Sequence, residues 1–273
     1  MWISIMNFID EISVIEINPT ELCNLKCSFC PRATFYPNQN LHMSIETAEV
    51  ISQQLREINY TGELSITGRG EPTLHPEFDK LCEIFFKDKT WTTKINTNGK
   101  RYDKWMRTVN NFDKVIWNCY EHTKEQYHKE IERFNHLDYF VINYKPVEMS
   151  WQDRPSFTNR AGSFPTNHLP DIQYCDTPFV KMFIDYDGTY RLCCEDWKAK
   201  IVMGSVYEQT IAEYIAENEK LKEYRKRLAE GDRSLTPCMS CSYNITSYKN
   251  GCSENKWKAL QAMTRMENLD LGA

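Results

Sequence analysis

Between residues 13 and 145, short apolar runs alternate with longer amphipathic ones, and few folds accept that order. "SVIEIN" (13–18), "ELSITG" (63–68), "TTKINTNG" (92–99), "KVIWNCY" (114–120) and "YFVINYK" (139–145) are short and rich in β-branched or aromatic residues, which fits strands. Between them, "SIETAEVISQQLREI" (44–58) opens on Ser44 as N-cap, and "HPEFDKLCEIFFK" (75–87) carries Pro76 at an early helical position. "YDKWMRTVNN" (102–111) and "KEQYHKEIERF" (124–134) complete the helical set. Repeated β–α units of this length predict a parallel sheet flanked by helices. Such sheets carry their functional residues at the carboxyl ends of the strands. There the sequence places the segment after Ile17, then "GRGEP", "NTNG" and "WNCYE".

The net charge is −5 and no run of Lys or Arg forms a basic stripe, so nucleic acid is not expected as a partner. The longest apolar stretches, such as "FVINY" and "FVKMFI", fall far short of the ~20 residues of a membrane-spanning helix. "MWISIMNFIDEISVIEI" lacks a basic n-region and carries Asp10 and Glu11, so it reads as mature protein, and the expected location is cytoplasmic. In a reducing compartment, clustered cysteines are more often metal ligands than disulfides. Of the eleven cysteines, Cys82 on a helix and Cys119 in a strand read as small core residues.

Past residue 150 the pattern changes. Residues 153–171 are rich in Pro, Gly, Ser and Asn and read as a linker. "FVKMFIDYDGTYRLC" places Asp187-Gly188 between two strand-like runs, a hairpin signal. "YEQTIAEYIAEN" and "EKLKEYRKRLAEG" read as helices, the second closed by Gly231. A second cysteine loop, "TPCMSCSYN", and a last helix near 254–267 follow. The expected plan is a domain over 1–150, a smaller one over 151–252, and a C-terminal helix over 253–273 packing on the body.

Cys23, Cys27 and Cys30 stand in C-x3-C-x2-C directly after the first strand. Three thiols cannot complete a four-coordinate zinc site alone. They can hold three irons of a [4Fe–4S] cluster and leave the fourth open. Cys175, Cys193, Cys238 and Cys241 form C-x12-G-x4-C followed by C-x2-C, with Gly188 as the intervening glycine. Four thiols suit either zinc or a fully ligated cluster, and spacing alone leaves both open.

With Phe29 before the third cysteine, and Gly70-Glu71-Pro72 closing the second strand, the chain resembles the radical S-adenosylmethionine (SAM) superfamily. The resemblance covers roughly 13–145. It implies a partial (β/α) barrel whose Cys23, Cys27 and Cys30 hold the cluster that binds SAM. It implies that Gly70, Glu71 and Pro72 hold the amino group of the SAM methionine, that Asn96 and Asn98 of "NTNG" lie beside SAM, and that Asn118 reaches the ribose. Arg69 departs from the family's usual double glycine. The implied chemistry is electron transfer to SAM, release of a 5′-deoxyadenosyl radical, and abstraction of a substrate hydrogen atom. The second cysteine set resembles the SPASM and twitch extensions of this superfamily. Nothing cysteine-rich follows Cys241 except Cys252, which resembles the short twitch form: a small α+β extension whose four cysteines hold one auxiliary [4Fe–4S] cluster. "CEDW…MGSV" resembles the twitch-bearing dehydrogenases of aminoglycoside biosynthesis, with anaerobic sulfatase-maturing enzymes the next neighbours.

The expected function is therefore oxidation of a small polyol or amino sugar, with a flavodoxin or ferredoxin as reductant. Modification of a peptide side chain is the alternative, and a non-catalytic zinc-binding protein a remote one. "NRAG" (159–162) offers Arg160, whose planar fork suits an anionic or hydroxylated substrate, against a plain structural turn. Glu195 and Asp196 follow a cluster ligand, and either carboxylate can take a substrate proton, against a capping or solvated acid. Cys194 and Cys252 read as packing or as accessory thiols.

Overall fold

The computed structural model describes residues 9–120, 123–144, 158–164, 175–198 and 201–243. The C-terminal helix, Cys252 and most of the linker lie outside the described residues. The chain separates into two compact units. Residues 14–144 form one together with Ile184–Gly188; the described residues of 9–13, 158–183 and 189–243 form the other.

In the first unit five strands pair in parallel: β1 (Val14–Ile17), β2 (Glu63–Ile66), β3 (Thr92–Thr97), β4 (Lys114–Cys119) and β5 (Phe140–Tyr144). They lie side by side in chain order, as simple β–α units require. Between them run α1 (Ile45–Glu57), α2 (Phe78–Phe86), α3 (Tyr102–Val109) and α4 (Lys124–Phe134). Ser44 caps α1 by accepting from the Thr47 amide. Thr123 and Gln126 close a capping box on α4.

Apolar side chains of both layers meet with no exposure to water: Ile15, Ile17, Leu64, Ile66, Ile95 and Val115 from the sheet, Ile51, Leu55, Phe78, Leu81 and Phe85 from the helices. Each such side chain contributes on the order of 1.5–3 kcal/mol by leaving water. Cys82 and Cys119 are fully buried here, as small core residues.

Two helices differ from expectation. Pro76 lies before α2 rather than inside it, because the His75 ring accepts the Glu77 amide at 3.1 Å and forms a separate turn. In α3, Trp105 leaves helical geometry (φ −113°, ψ 18°), and its indole donates to the Thr73 carbonyl at 3.0 Å.

The second unit holds β6 (Lys181–Ile184, whose last residue belongs to the first unit), β7 (Thr189–Arg191) and β8 (Val202–Ser205). β7 and β8 are antiparallel, and the turn before β7 closes with the Gly188 amide on the Asp185 carbonyl. A short helix, α5 (Thr177–Val180), is followed later by α6 (Ile211–Glu217) and α7 (Glu219–Ala229). α6 begins four residues later than the periodicity predicts, because the Thr210–Glu213 capping box fixes the first turn. Arg225 of α7 is fully buried; its guanidinium donates to the Pro178 and Ile215 carbonyls at 3.0 and 2.7 Å and so ties α5, α6 and α7 together.

Candidate active site and thiol centres

At the carboxyl end of β1 the chain enters the loop that carries Cys23, Cys27 and Cys30. Cys27 is buried and the other two are half-buried. Asn38 clamps the loop from behind: its Oδ1 accepts the Cys23 amide and its Nδ2 donates to the Cys23 carbonyl, both at 2.8 Å. Burial pushes the Cys23 thiol up to about 11, aided by the negative charge of Glu71 and opposed by a backbone bond from Leu25. Phe29 packs on Tyr120, just past β4, with ring centroids 5.6 Å apart.

The "GRGEP" loop after β2 presses directly on this segment. A Cβ on Gly70 would lie 2.6 Å from the Leu22 carbonyl oxygen and closer still to that of Thr20, so only glycine fits. The Glu71 amide donates to the Leu22 carbonyl at 2.7 Å. Pro72 opens the short 3₁₀ turn that follows. The Glu71 carboxylate is buried, and its oxygens accept from the Thr73 amide and hydroxyl, the Thr97 hydroxyl (2.6 Å) and the Asn98 amide (2.8 Å). Burial pushes its pKa up while those bonds pull it down, with a net rise. Glu71 thus ties the ends of β2 and β3 together.

Asn98 passes the link on by donating from Nδ2 to Asn24 Oδ1 at 2.8 Å, inside the cysteine loop. Asn96 donates to the Thr67 hydroxyl at 3.2 Å, and Asn118, buried on β4, accepts from Asn143 at 3.4 Å. The strand ends therefore gather the cysteine loop, "GRGEP" and "NTNG" at one edge of the sheet.

Arg69 gains a definite place. Its guanidinium pairs with Glu21 at 2.8 Å and with Asp185, while its amide donates to Asn18 Oδ1 at 3.1 Å. Arg32 pairs with the other oxygen of Glu21 at 2.9 Å. Glu21 and Asp185 are fully buried, and Asn18 donates to both at 2.7 Å. The two guanidinium carbons lie 5.4 and 5.2 Å from the centre of the Tyr36 ring, which stacks cations favourably. The negative charges hold Arg69 firmly protonated despite its burial. Sequence reasoning left Arg69 open and missed Arg32, Asn38 and Asp185. The odd residue inside "GRGEP" was the available signal.

The second unit assembles its own thiol centre. Cys175, Cys193, Cys238 and Cys241 line one pocket, walled by Pro178, Leu192 and Leu228, with Arg233 and Glu195 as its charged members. Burial raises all four thiols, and the neighbouring thiols add to it for Cys193, Cys238 and Cys241; the latter two reach about 12. Thiolates crowded in this way call for a cationic centre, whose binding expels the protons.

"NRAG" braces this centre. Asn159 donates to the Ser240 carbonyl at 2.7 Å and exchanges bonds with Ser242 at 2.7 and 2.9 Å, holding the loop that carries Cys238 and Cys241. Gly162 (φ +80°) has no room for a Cβ against Ser240. Arg160 pairs with Glu195 at 3.1 Å, and Thr158 donates to the other oxygen of Glu195. Asp196 is buried and accepts the Ile201 amide at 3.2 Å. Cys194 is half-buried beside Glu195.

Among the described residues, no three His, Cys, Asp or Glu side chains converge closely enough for one metal ion. Four thiols lining one pocket with apolar walls supply the donor set of a fully ligated iron–sulfur cluster.

Comparison with known proteins agrees. The radical SAM superfamily model matches residues 17–139, and the SPASM model, an iron-sulfur cluster-binding domain, matches 175–242. The chain therefore carries a radical SAM domain over 17–139 and a SPASM-type iron-sulfur cluster-binding domain over 175–242, the domain set of an oxidoreductase that uses SAM, a SAM-binding [4Fe–4S] cluster and an auxiliary cluster. It is 25% identical, over 246 residues, to the S-adenosyl-L-methionine-dependent 2-deoxy-scyllo-inosamine dehydrogenase of Niallia circulans, covering 84% of this chain and 92% of that protein. The crystal structure of BtrN in complex with AdoMet and 2-DOIA shares the fold, with a TM-score of 0.73 at 23% identity over 88% of this chain and 96% of that one. Streptococcus suis SuiB bound to the precursor peptide SuiA is more distant, with a TM-score of 0.50 at 16% identity over 89% of this chain and 72% of that one.

Proposed function

We propose that the protein dehydrogenates a small polyol or amino-sugar-like alcohol. When bound, SAM on the open cluster supplies a 5′-deoxyadenosyl radical for hydrogen abstraction, and the closed cluster supplies a one-electron acceptor. Cys23, Cys27 and Cys30 would hold the first cluster, and Cys175, Cys193, Cys238 and Cys241 the second. Glu71 positions "NTNG" through Thr97 and Asn98, so that Asn96, Asn98 and Asn118 offer polar groups toward SAM at the strand ends. The backbone carbonyls beside Gly70 and the Oε2 of Glu71 would receive the SAM ammonium. Arg160 would bind the substrate through its fork. Glu195, whose carboxylate Arg160 and Thr158 hold in a fixed orientation, would take the substrate proton. Asp196 would support it. A flavodoxin or ferredoxin would deliver the electron. Neither nucleic acid nor membrane enters this reading; among the described residues no helix is long and apolar enough to cross a membrane.

The observation that carries the reading is the likeness to the 2-deoxy-scyllo-inosamine dehydrogenase, which takes in 84% of this chain. The test is incubation of the anaerobically reconstituted protein with SAM, dithionite and a panel of amino cyclitols and polyols. 5′-Deoxyadenosine formed in step with a ketone product supports it. 5′-Deoxyadenosine that appears only with peptides would replace it with the side-chain modification that SuiB's peptide complex brings to mind.

A further inference from the structure

Arg233 belongs to no motif, yet its side chain enters the wall of the four-thiol pocket. The residue is 7% exposed, and its Nη1 donates to the Cys241 carbonyl at 3.2 Å. Glu195 lines the same pocket with a side chain 4% exposed. Both charges act through protein rather than water, where Coulomb interactions are several-fold stronger than in bulk solvent.

We infer that Arg233 sets the reduction potential of the auxiliary cluster, acting as a positioning and tuning residue with Glu195 as the opposing charge. This rests on the reading that the four-thiol pocket holds an iron–sulfur cluster. Four thiolates make such a centre negative, and one-electron reduction adds a further negative charge. A buried guanidinium favours the reduced state more than the oxidised one, so it raises the potential. A buried carboxylate in the same wall does the reverse. Net charge and hydrogen bonding near the sulfurs are established controls of cluster potential. The functional value is direct: an acceptor must be easily reduced to draw an electron from a substrate radical, and Arg233 makes it so.

The test is a redox titration with dithionite, followed by electron paramagnetic resonance. It uses the full chain carrying Cys23→Ala, Cys27→Ala and Cys30→Ala, so that the auxiliary cluster alone gives signal. Arg233→Gln should lower the ratio of reduced to oxidised cluster at least about tenfold at a fixed potential, a shift of about 59 mV for one electron. Glu195→Gln should move it the opposite way, and Arg233→Lys should stay nearer the parent. Arg233→Gln with full iron and sulfide but an unchanged midpoint would overturn the inference. If Arg233→Gln binds no iron, Glu195→Gln decides, and an unchanged midpoint there overturns the claim that wall charge governs the potential. Absence of iron in the parent triple variant would overturn the cluster reading itself, and this inference with it.

Discussion

The barrel takes its three thiols from one loop of eight residues, Cys23 to Cys30, whereas the second unit gathers four from three separate places in the chain. The first set comes together within its own loop, which the Asn38 clamp holds and the Asn98 bond to Asn24 ties to the strand ends. The second depends on tertiary bracing: Asn159 on the Cys238–Cys241 loop, Arg233 on the Cys241 carbonyl. Their surroundings differ as well. Around the barrel loop the charges cancel, Arg32 and Arg69 against Glu21 and Asp185, so that network fixes position. In the second pocket the guanidinium stands at the thiol wall itself. Local spacing thus brings three thiols together within one loop, and long-range packing brings four into one pocket.

The largest expected effect separates the two outright. Replacing Cys23, Cys27 and Cys30 with alanine should abolish SAM cleavage and lower the iron content from about eight per chain to about four. Replacing Cys175 and Cys238 should leave substrate-free SAM cleavage measurable while ending product formation. Iron analysis and 5′-deoxyadenosine assays check both, and a coupled loss in the two variants would mean that the centres do not assemble independently.

Gly70→Ala comes next. Its methyl meets two backbone carbonyls that cannot rotate away, so we expect SAM binding to weaken by more than tenfold and stability to fall by about 1–3 kcal/mol. Equilibrium dialysis and denaturant unfolding check this; wild-type values would mean that the two loops can separate.

Asn159→Ala removes the side-chain bonds to the Ser240 carbonyl and from the Ser242 amide, keeps the backbone bond to the Ser242 hydroxyl, and should cost about 2 kcal/mol, with faster loss of the auxiliary cluster alone to a chelator. Asn38→Ala should do the same to the first cluster, at about 1 kcal/mol, because a solvent-exposed loop recovers bonds from water. Equal sensitivity of both clusters in either variant would erase the contrast between local and long-range assembly.

The smallest effect is a control on the barrel. Burial pushes the Asp113 carboxyl up, but bonds from Lys89 and from the Thr93 amide and hydroxyl outweigh it and hold the pKa below its ordinary value. A depressed carboxylate stabilises the fold above its unfolded pKa of about 3.9, and that contribution disappears as pH falls through the lower folded value. Asp113 is half exposed, so Asp113→Asn should cost less than about 1 kcal/mol at neutral pH and nothing at the acid end. Both iron centres should be unaffected.

The parallel order of β1–β5 was legible because each strand is apolar and each intervening helix has its own cap or period. That Cys23, Cys27 and Cys30 share one loop was legible for a similar reason, since their spacing is a local property; that Cys175, Cys193, Cys238 and Cys241 share one pocket was readable only through the resemblance. Arg69 and Asp185 were not legible, because the two lie 116 positions apart, and Arg32 was not, because its pairing with Glu21 depends on how the cysteine loop folds. Glu71 stood out in the sequence as a candidate, but its bracing role did not, since that depends on which way the carboxylate faces. "NRAG" stood out as a candidate, yet Asn159 and Gly162 carry much of its structural work, through bonds to a loop some eighty residues later.

The return of Ile184–Gly188 to the barrel unit bears on how separable the parts are. Asp185 supplies one of the two acids that balance Arg69, and the Ile184 carbonyl receives the Asn18 amide at 2.9 Å, just before the cysteine loop. A shortened chain that stops at the linker would leave Arg69 with half its counter-charge and Asn18 without two of its partners. The catalytic barrel is therefore not a cassette to be cut out, transplanted or fused by itself. Its inheritance is tied to that of the extension, because a five-residue piece of the barrel is encoded within it.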